Sequence, residues 1–407
     1  MPGARESAAS WTDRSGNLWL FGGFAYDSTG TQGPLNDLWE FNPATSEWMW
    51  VSGTNFVGTG EGVYGTLGVA AAGNTPGGRY GSVSWSDSSG NLWLFGGDLT
   101  ANDLWKFDPA SKEWTWMSGE NQVGSLYGGA AGVYGTLGVA AAGNTPGARD
   151  FAVSWTDSSG NFWLFGGSGL NDLWKFDPTT IEWTWMSGAN SVGSSGVLSG
   201  VYGTLGVAAA GNTPGGRNSA VSWTDSSGNL WLFGGNGYDS LGALGYLNDL
   251  WKFDLTTNKW TWESGANSVL SEPGVYGTLG VASTTNVPGA RESAVSWTDR
   301  SGNLWLLGGL GFDSTGTKGY LNDLWQFDPA SKEWTWVSGT KQLDWTNGGA
   351  AGVYGTPGVA AAGNIPGSRD DALSWTDSSG NLWLFGGAGF DSNGAMGDLN
   401  DLWKYQP

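Results

Sequence analysis

The chain has 407 residues with no cysteine and no histidine, and its 17 basic and 37 acidic residues give a formal charge of -20. Disulfides and thiolate metal sites are thereby excluded, the commonest general base and metal ligand is missing, and nucleic acid and anionic membrane surfaces are repelled. No run of about 20 apolar residues exists to span a membrane, and 72 glycines beside 29 tryptophans make a composition far too aromatic for disorder.

Met1-Pro2-Gly3 stands at a repeat boundary without a charged and apolar leader. Either a signal peptide has been removed, or the protein is cytoplasmic. The acidity suits the first reading, so an extracellular or cell-surface bacterial protein is expected.

Each repeat opens with Pro-Gly-x-Arg, at Arg5, Arg79, Arg149, Arg217, Arg291 and Arg369. A strand a of mostly small residues follows, as in Ser219 to Trp223, and small residues suit a crowded innermost position. A Thr-Asp-Ser-Ser-Gly-Asn turn leads to strand b, Leu18-Trp19-Leu20-Phe21 in the first repeat, which has no polar position and should be buried on both faces. Gly22-Gly23 is expected to end it, where a side chain would collide with backbone or block a sharp exit. The stretch from Ser15 to Gly23 returns from Ser89, Ser159, Ser227, Ser301 and Ser379, so this is a repeat protein.

Strand c is Leu-Asn-Asp-Leu-Trp-Lys-Phe-Asp, for example Leu247 to Asp254, and strand d is Trp-x-Trp, with both indoles on one face because strand side chains alternate. One tryptophan on each a, b and c strand and a pair on each of five d strands account for 28 of the 29; the exception is Trp345. This regular placement reads as packing between sheets and not as a sugar-stacking surface. The repeats are bounded at 2–75, 76–145, 146–213, 214–287, 288–365 and 366–407, within a single domain. The last stops in strand c, so a three-stranded sheet with c as an edge open to pairing with another chain is expected.

Four short antiparallel strands per repeat describe a β-propeller. The Gly-Gly doublet after b, the aromatic on c and the Trp on d resemble the kelch-repeat family in all six repeats. The resemblance implies an all-β, six-bladed kelch-like propeller, four antiparallel strands to a blade, with strand a lining a central channel and the last blade lacking its outer strand. Successive arginines lie 68 to 78 residues apart, against about 50 for kelch, and the surplus sits in two connections. The d-to-a connection has a variable half and a nearly fixed half, Gly-Val-Tyr-Gly-Thr-Leu-Gly-Val-Ala-Ala-Ala-Gly-Asn-Thr-Pro-Gly, expected to pack onto a neighbouring blade. The variable half, with Asn55-Phe56-Val57, Ser125-Leu126-Tyr127 and Asp344-Trp345-Thr346, suits recognition better. The b-to-c connection is long in repeats one, four, five and six, where it carries Tyr26, Tyr238, Phe312 and Phe390, and short in two and three. Both connections should emerge on one face, the long ones walling it and leaving a gap over blades two and three. Loops on a rigid scaffold are where binding usually resides.

In kelch domains the arginines at this position can contact acidic peptides, which would make a ring of six carboxylate binders. The competing reading is local neutralisation, since Glu6, Asp150, Glu292 and Asp370 directly follow four of the arginines. The Asn-Asp pairs of strand c, Asn36/Asp37 through Asn400/Asp401, read either as calcium ligands or as hydrogen-bond partners of loop backbone. The Asp-Ser segments of the long b-to-c connections fall short of the six to eight or so oxygens calcium takes. Copper oxidation, known among kelch-repeat enzymes, needs imidazole. A glycosidase needs a carboxylate pair, and Asp370/Asp371 stands in one repeat without a partner. No catalytic residue, metal or cofactor is therefore expected. The leading expectation is a non-enzymatic module binding a protein or glycan through Arg5, Arg79, Arg149, Arg217, Arg291, Arg369, Tyr26, Tyr238, Phe312, Phe390 or Trp345; the second is a multivalent lectin with repeated sugar sites.

Overall fold

The computed structural model describes residues 1–58, 61–97, 100–121, 129–191, 196–269, 272–343 and 348–407. Its regular elements are β-strands, and among the described residues no helix is long and apolar enough to cross a membrane. The chain falls into two compact units, 1–195 with 377–379 and 196–376 with 380–407.

In the first unit, repeat one is a five-stranded antiparallel sheet. A short lead strand (Arg5–Glu6) and strand a (Ala9–Thr12) lie in line along strand b (Leu18–Tyr26), which pairs with c (Gln32–Asn42), and c with d (Glu47–Ser52). Repeats two and three are four-stranded antiparallel sheets, Val83–Ser86, Leu92–Phe95, Leu104–Asp108, Glu113–Ser118 and Val153–Thr156, Phe162–Phe165, Leu173–Asp177, Glu182–Ser187. In the second unit, repeats four and five reproduce the five-stranded form, with b at Leu230–Tyr238 and Leu304–Phe312 and d at Lys259–Ser264 and Glu333–Ser338. Repeat six divides into two three-stranded sheets, and in the a–b–c sheet (Leu373–Thr376, Leu382–Phe385, Leu402–Tyr405) strand c is outermost.

Strand b is buried on both faces because its alternate side chains serve different neighbours. Trp19 and Phe21 join Trp11 and Leu38 against Leu92, Leu94, Trp105, Phe107 and Trp114 of the next sheet. The same division of labour recurs between repeats two and three, four and five, and five and six. Both tryptophans of a d strand lie on this face, Trp114 buried and Trp116 packed beside it. Strand a adds polar staples across the same gaps. Its indole N–H donates to a strand-b carbonyl of the following sheet (Trp11 to Trp93 O, 2.8 Å; Trp223 to Trp305 O, 2.9 Å), and serine hydroxyls step from Ser84 to Ser10 O and from Ser296 to Ser222 O.

The Gly-Gly doublet does not end strand b in repeats one, four and five. The strand runs through it, with the register shifting at the doublet, and resumes pairing up to Tyr26↔Gln32, Tyr238↔Leu244 and Phe312↔Lys318. The long connections expected as loops are therefore hairpin extensions of strands b and c, closed by short turns. Glycine is required here. Gly22 and Gly23 have φ of 64° and 96°, and a Cβ on Gly22 would stand 2.7 Å from the carbonyl oxygens of both Arg79 and Leu35. The doublet is where the following repeat docks, Gly23 N–H donating to Arg79 O at 2.9 Å and Gly97 N–H to Arg149 O at 2.8 Å.

The fixed connection behaves only partly as expected. Its tyrosine packs down, Tyr64 lying against Trp105 and Trp116, and Asn74 donates to Val69 O and Trp114 O. Its apolar side chains turn outward instead: Val63, Leu67 and Val69 are more than half exposed, as are Val201, Leu205 and Val207.

Candidate functional site

The six arginines are buried and paired within their own repeats. Each is at most 5% exposed and forks onto the aspartate of strand c in its own repeat: Arg5 on Asp37, Arg79 on Asp103, Arg149 on Asp172, Arg217 on Asp249, Arg291 on Asp323 and Arg369 on Asp401, at 2.7–2.8 Å. The Nη1 group also donates to the first glycine carbonyl of the doublet, and Nε to the carbonyl two residues upstream, as Arg217 does to Gly234 O and Gly215 O. This corrects the expected carboxylate-binding ring. Neutralisation is local, but it comes from strand c and not from the acids that follow the arginines.

The aspartate is as fully used. Asp249 Oδ2 accepts from Arg217, from the Trp251 indole and from the Tyr202 hydroxyl of the fixed connection. Burial alone would raise the carboxyls of Asp103 and Asp172, yet the adjoining guanidinium, indole and hydroxyl outweigh it and hold both below the usual range. Burial raises the tyrosines, with the carboxylate adding to it; Tyr354 is pushed up to about 12. The neighbouring asparagine binds backbone: Asn248 Oδ1 accepts from Ala266 N–H and Asn171 Oδ1 from Ala189 N–H. The hairpin aspartates are bound likewise. Asp27 accepts from Thr29, Thr31 and the Val57 N–H, which ties the hairpin tip to the variable connection on the same face. The Thr29 hydroxyl above all, then Val57, holds its carboxyl far down.

Tyr26 ends its hairpin strand exposed; Tyr238 and Phe312 are half-buried and Phe390 is buried. In the second unit adjacent hairpins touch through aromatic pairs, Tyr246 with Phe312 and Tyr320 with Phe390, each 5.9 Å between ring centres, so repeats four to six present a continuous wall. Trp345, Ser125-Leu126-Tyr127 and Asp344-Trp345-Thr346 lie outside the described residues.

A group that the sequence reading missed lies between the constant arginine and strand a. Residues there bridge one repeat to the next, Gly81 N–H donating to Ser7 O and Phe151 N–H to Gly81 O, both 2.8 Å. All hold a left-handed backbone, with φ of 54° at Ser7, 64° at Gly81 and 50° at Phe151. Small or polar residues occupy this position elsewhere (Ser219, Ser293, Asp371), whereas a bulky side chain in the left-handed region is an outlier. Phe151 lies 6.0 Å from Tyr80, and Tyr80 lies 5.8 Å from Phe24, the two contacts tilted and edge-on. All three side chains are half-buried. They form an aromatic ledge running from hairpin one across the two repeats without long hairpins. Beside it Asp150 is buried and accepts from the Ser168 hydroxyl at 2.9 Å. In the second unit the corresponding stretch is polar: burial raises Glu292 despite hydrogen bonds from Tyr246 and Asn236, and Lys318 Nζ sits 4.6 Å over the Tyr246 ring. The signal that would have found the ledge was in plain sight, since Tyr80 and Phe151 are aromatic departures inside an otherwise repeated stretch.

No family model matches the chain, and no curated protein matches it.

Proposed function

We propose that the six repeats form a six-bladed, kelch-like propeller acting as a non-enzymatic binding module outside the cell. The ledge of Phe24, Tyr80 and Phe151 is its binding surface for a protein or glycan. The observation that carries this reading is Phe151 itself, a bulky residue held at φ 50° where the other repeats place serine, glycine or aspartate. A strained aromatic that is only partly buried is costly to keep for packing alone. Three rings set at angles to one another along three consecutive repeats offer an apolar surface to the face of a sugar or of an aromatic peptide side chain. The propeller reading draws support from sheets stacked in register within each unit and from small residues on strand a.

Phe151→Ser tests it, because serine already occupies this position as Ser7, Ser219 and Ser293 at nearly the same φ. Screened on glycan and peptide arrays and then titrated, the intact chain should bind one ligand per molecule. The variant should lose roughly 30-fold in affinity, as aromatic anchors do, with a thermal midpoint that does not fall, because serine relieves the left-handed strain. Equal binding by both proteins would sink the reading. The multivalent-lectin alternative draws on the near-identity of the repeats and would show several equivalent sites per chain; the tryptophans that repetition supplies are taken up in packing.

A further inference from the structure

The rings of the ledge are steeply inclined, 76° between Phe24 and Tyr80 and 55° between Tyr80 and Phe151. Rings so inclined share no single plane, and their electron-rich faces look in different directions, an arrangement that attracts a cation. The charge on the ledge side has one sign. Of the basic residues in repeats one to three, Arg5, Arg79 and Arg149 are buried against their aspartates. The others stand toward the far end of strand b. Arg14 lies in the turn before it, beside Gly90, Lys106 and Lys175 pair with Trp93 and Trp163, and Lys112 lies in the turn from c to d. Acids stand on the ledge side, Asp150 directly before Phe151 and Asp27 at the tip of the hairpin that carries Phe24. An acidic, aromatic surface draws a positively charged partner.

In the second unit the corresponding place is taken by one of the chain's own cations. Asn236 stands where Phe24 stands, opposite the residue that follows the constant arginine (Asn218↔Asn236, Glu6↔Phe24), and Glu292 stands where Tyr80 does. There the Lys318 ammonium lies 4.6 Å over the Tyr246 ring. The Tyr246 side chain hydrogen-bonds the Glu292 carboxyl, which the Lys318 charge also reaches. Lys318 is supplied by the long hairpin of repeat five, where it pairs with Phe312. The b-to-c connection of repeat two is only Asp98 to Ala101 and contains no lysine.

We propose, on the reading of the ledge as the binding surface, that its partner is a basic polypeptide segment whose lysine ammonium lies over the rings of Phe24, Tyr80 and Phe151. The incoming ammonium takes over these rings the place that Lys318 takes over Tyr246. Further basic residues of the segment meet the acidic surface around the ledge and speed its approach.

The test is titration of the intact chain with a synthetic glycine-lysine peptide with blocked termini in three forms. One carries lysine, one trimethyllysine, and one a neutral isostere in which carbon replaces the trimethylammonium nitrogen. Trimethyllysine keeps the charge and sheds the N–H groups, so it should bind at least as tightly as lysine. The neutral isostere should bind about tenfold more weakly, the scale of a partly desolvated cation–π contact. Tyr80→Leu keeps apolar bulk and removes a ring face, and it should weaken the trimethyllysine peptide by a similar factor. That loss should persist in added salt, which screens diffuse attraction to the acidic surface. No saturable binding of the charged peptides, or equal binding of charged and neutral forms, overturns the proposal. So does equal binding by the original and Tyr80→Leu chains, which would assign the attraction to the net charge of -20 alone. Binding that Phe151→Ser weakens but that is confined to neutral ligands overturns the basic partner and keeps the ledge. Charge-dependent binding that Phe151→Ser leaves unchanged overturns both.

Discussion

A guanidinium in an apolar interior survives only with its charge matched and its N–H groups spent, and Arg149 meets both conditions through Asp172, Gly166 O and Gly147 O. Removing the carboxylate strands the cation. Asp172→Ala should therefore cost about 3–5 kcal/mol, read as a fall in the urea midpoint at unchanged slope. Tyr202→Phe removes one of the four hydrogen bonds on Asp249 and leaves the pair intact, so about 1–2 kcal/mol is expected. A loss for Asp172→Ala no greater than that for Tyr202→Phe would mean that Arg149 reaches water, contrary to its burial. These pairs also explain why arginine and aspartate recur together in six repeats that otherwise tolerate variation. The partnership joins residues 32 positions apart in repeat one and 23 in repeat three, a tertiary fact that local spacing does not reveal although the Arg and the Asn-Asp pair each recur in all six repeats.

At the scale of the element, the doublet glycines differ from the turn glycines in what surrounds them. Gly228 has φ +84° and open space within 4 Å of where a methyl would stand, while Gly234 has φ +64° with Arg291 O at 2.8 Å and Leu247 O at 2.9 Å from that point. Gly228→Ala should cost only the left-handed backbone term, about 1–2 kcal/mol. Gly234→Ala adds a collision with two carbonyls that belong to ladders and cannot retreat, and it should cost at least about 3 kcal/mol. Equal losses would show that the docking of repeat five on the doublet is soft. The sequence shows the strand order and the burial of b through hydrophobic pattern and turn chemistry alone. It does not show that b continues past the doublet, because Phe24-Ala25-Tyr26 and its equivalents read as loop until the lead strand is seen to pair with them at Arg5↔Ala25 and Glu6↔Phe24. The ledge escaped for the related reason that Phe151 and Tyr80 acquire meaning only when consecutive repeats are placed side by side.

For the molecule as a whole, buried aspartates and buried tyrosines set opposite limits on the stable pH range. Asp103, Asp172 and Asp401 have lowered pKa values, burial being outweighed by their arginines. Their stabilisation is fully present above the unfolded value of about 4 and is lost as pH falls through the folded values. Tyr64, Tyr134, Tyr202 and Tyr354 are raised, by burial first and their aspartates next. Their contribution is fully present below the unfolded value of about 10 and is lost as pH rises, for Tyr354 through about 12. A net charge of -20 adds self-repulsion at the alkaline end, and acid relieves it, so the alkaline limit should be the steeper. Thermal midpoints followed from pH 3 to 12 should form a plateau from about 4 to 10, between the unfolded aspartate and tyrosine values. Above it, tyrosinate absorbance should rise together with the loss of near-ultraviolet circular dichroism, because the network tyrosines ionise only on unfolding. Tyrosinate absorbance completed with the circular dichroism intact would place those hydroxyls in water and break the link between the Arg-Asp-Tyr network and stability. Added salt should raise the midpoint near pH 9 by screening the surface acids and leave the buried pairs untouched.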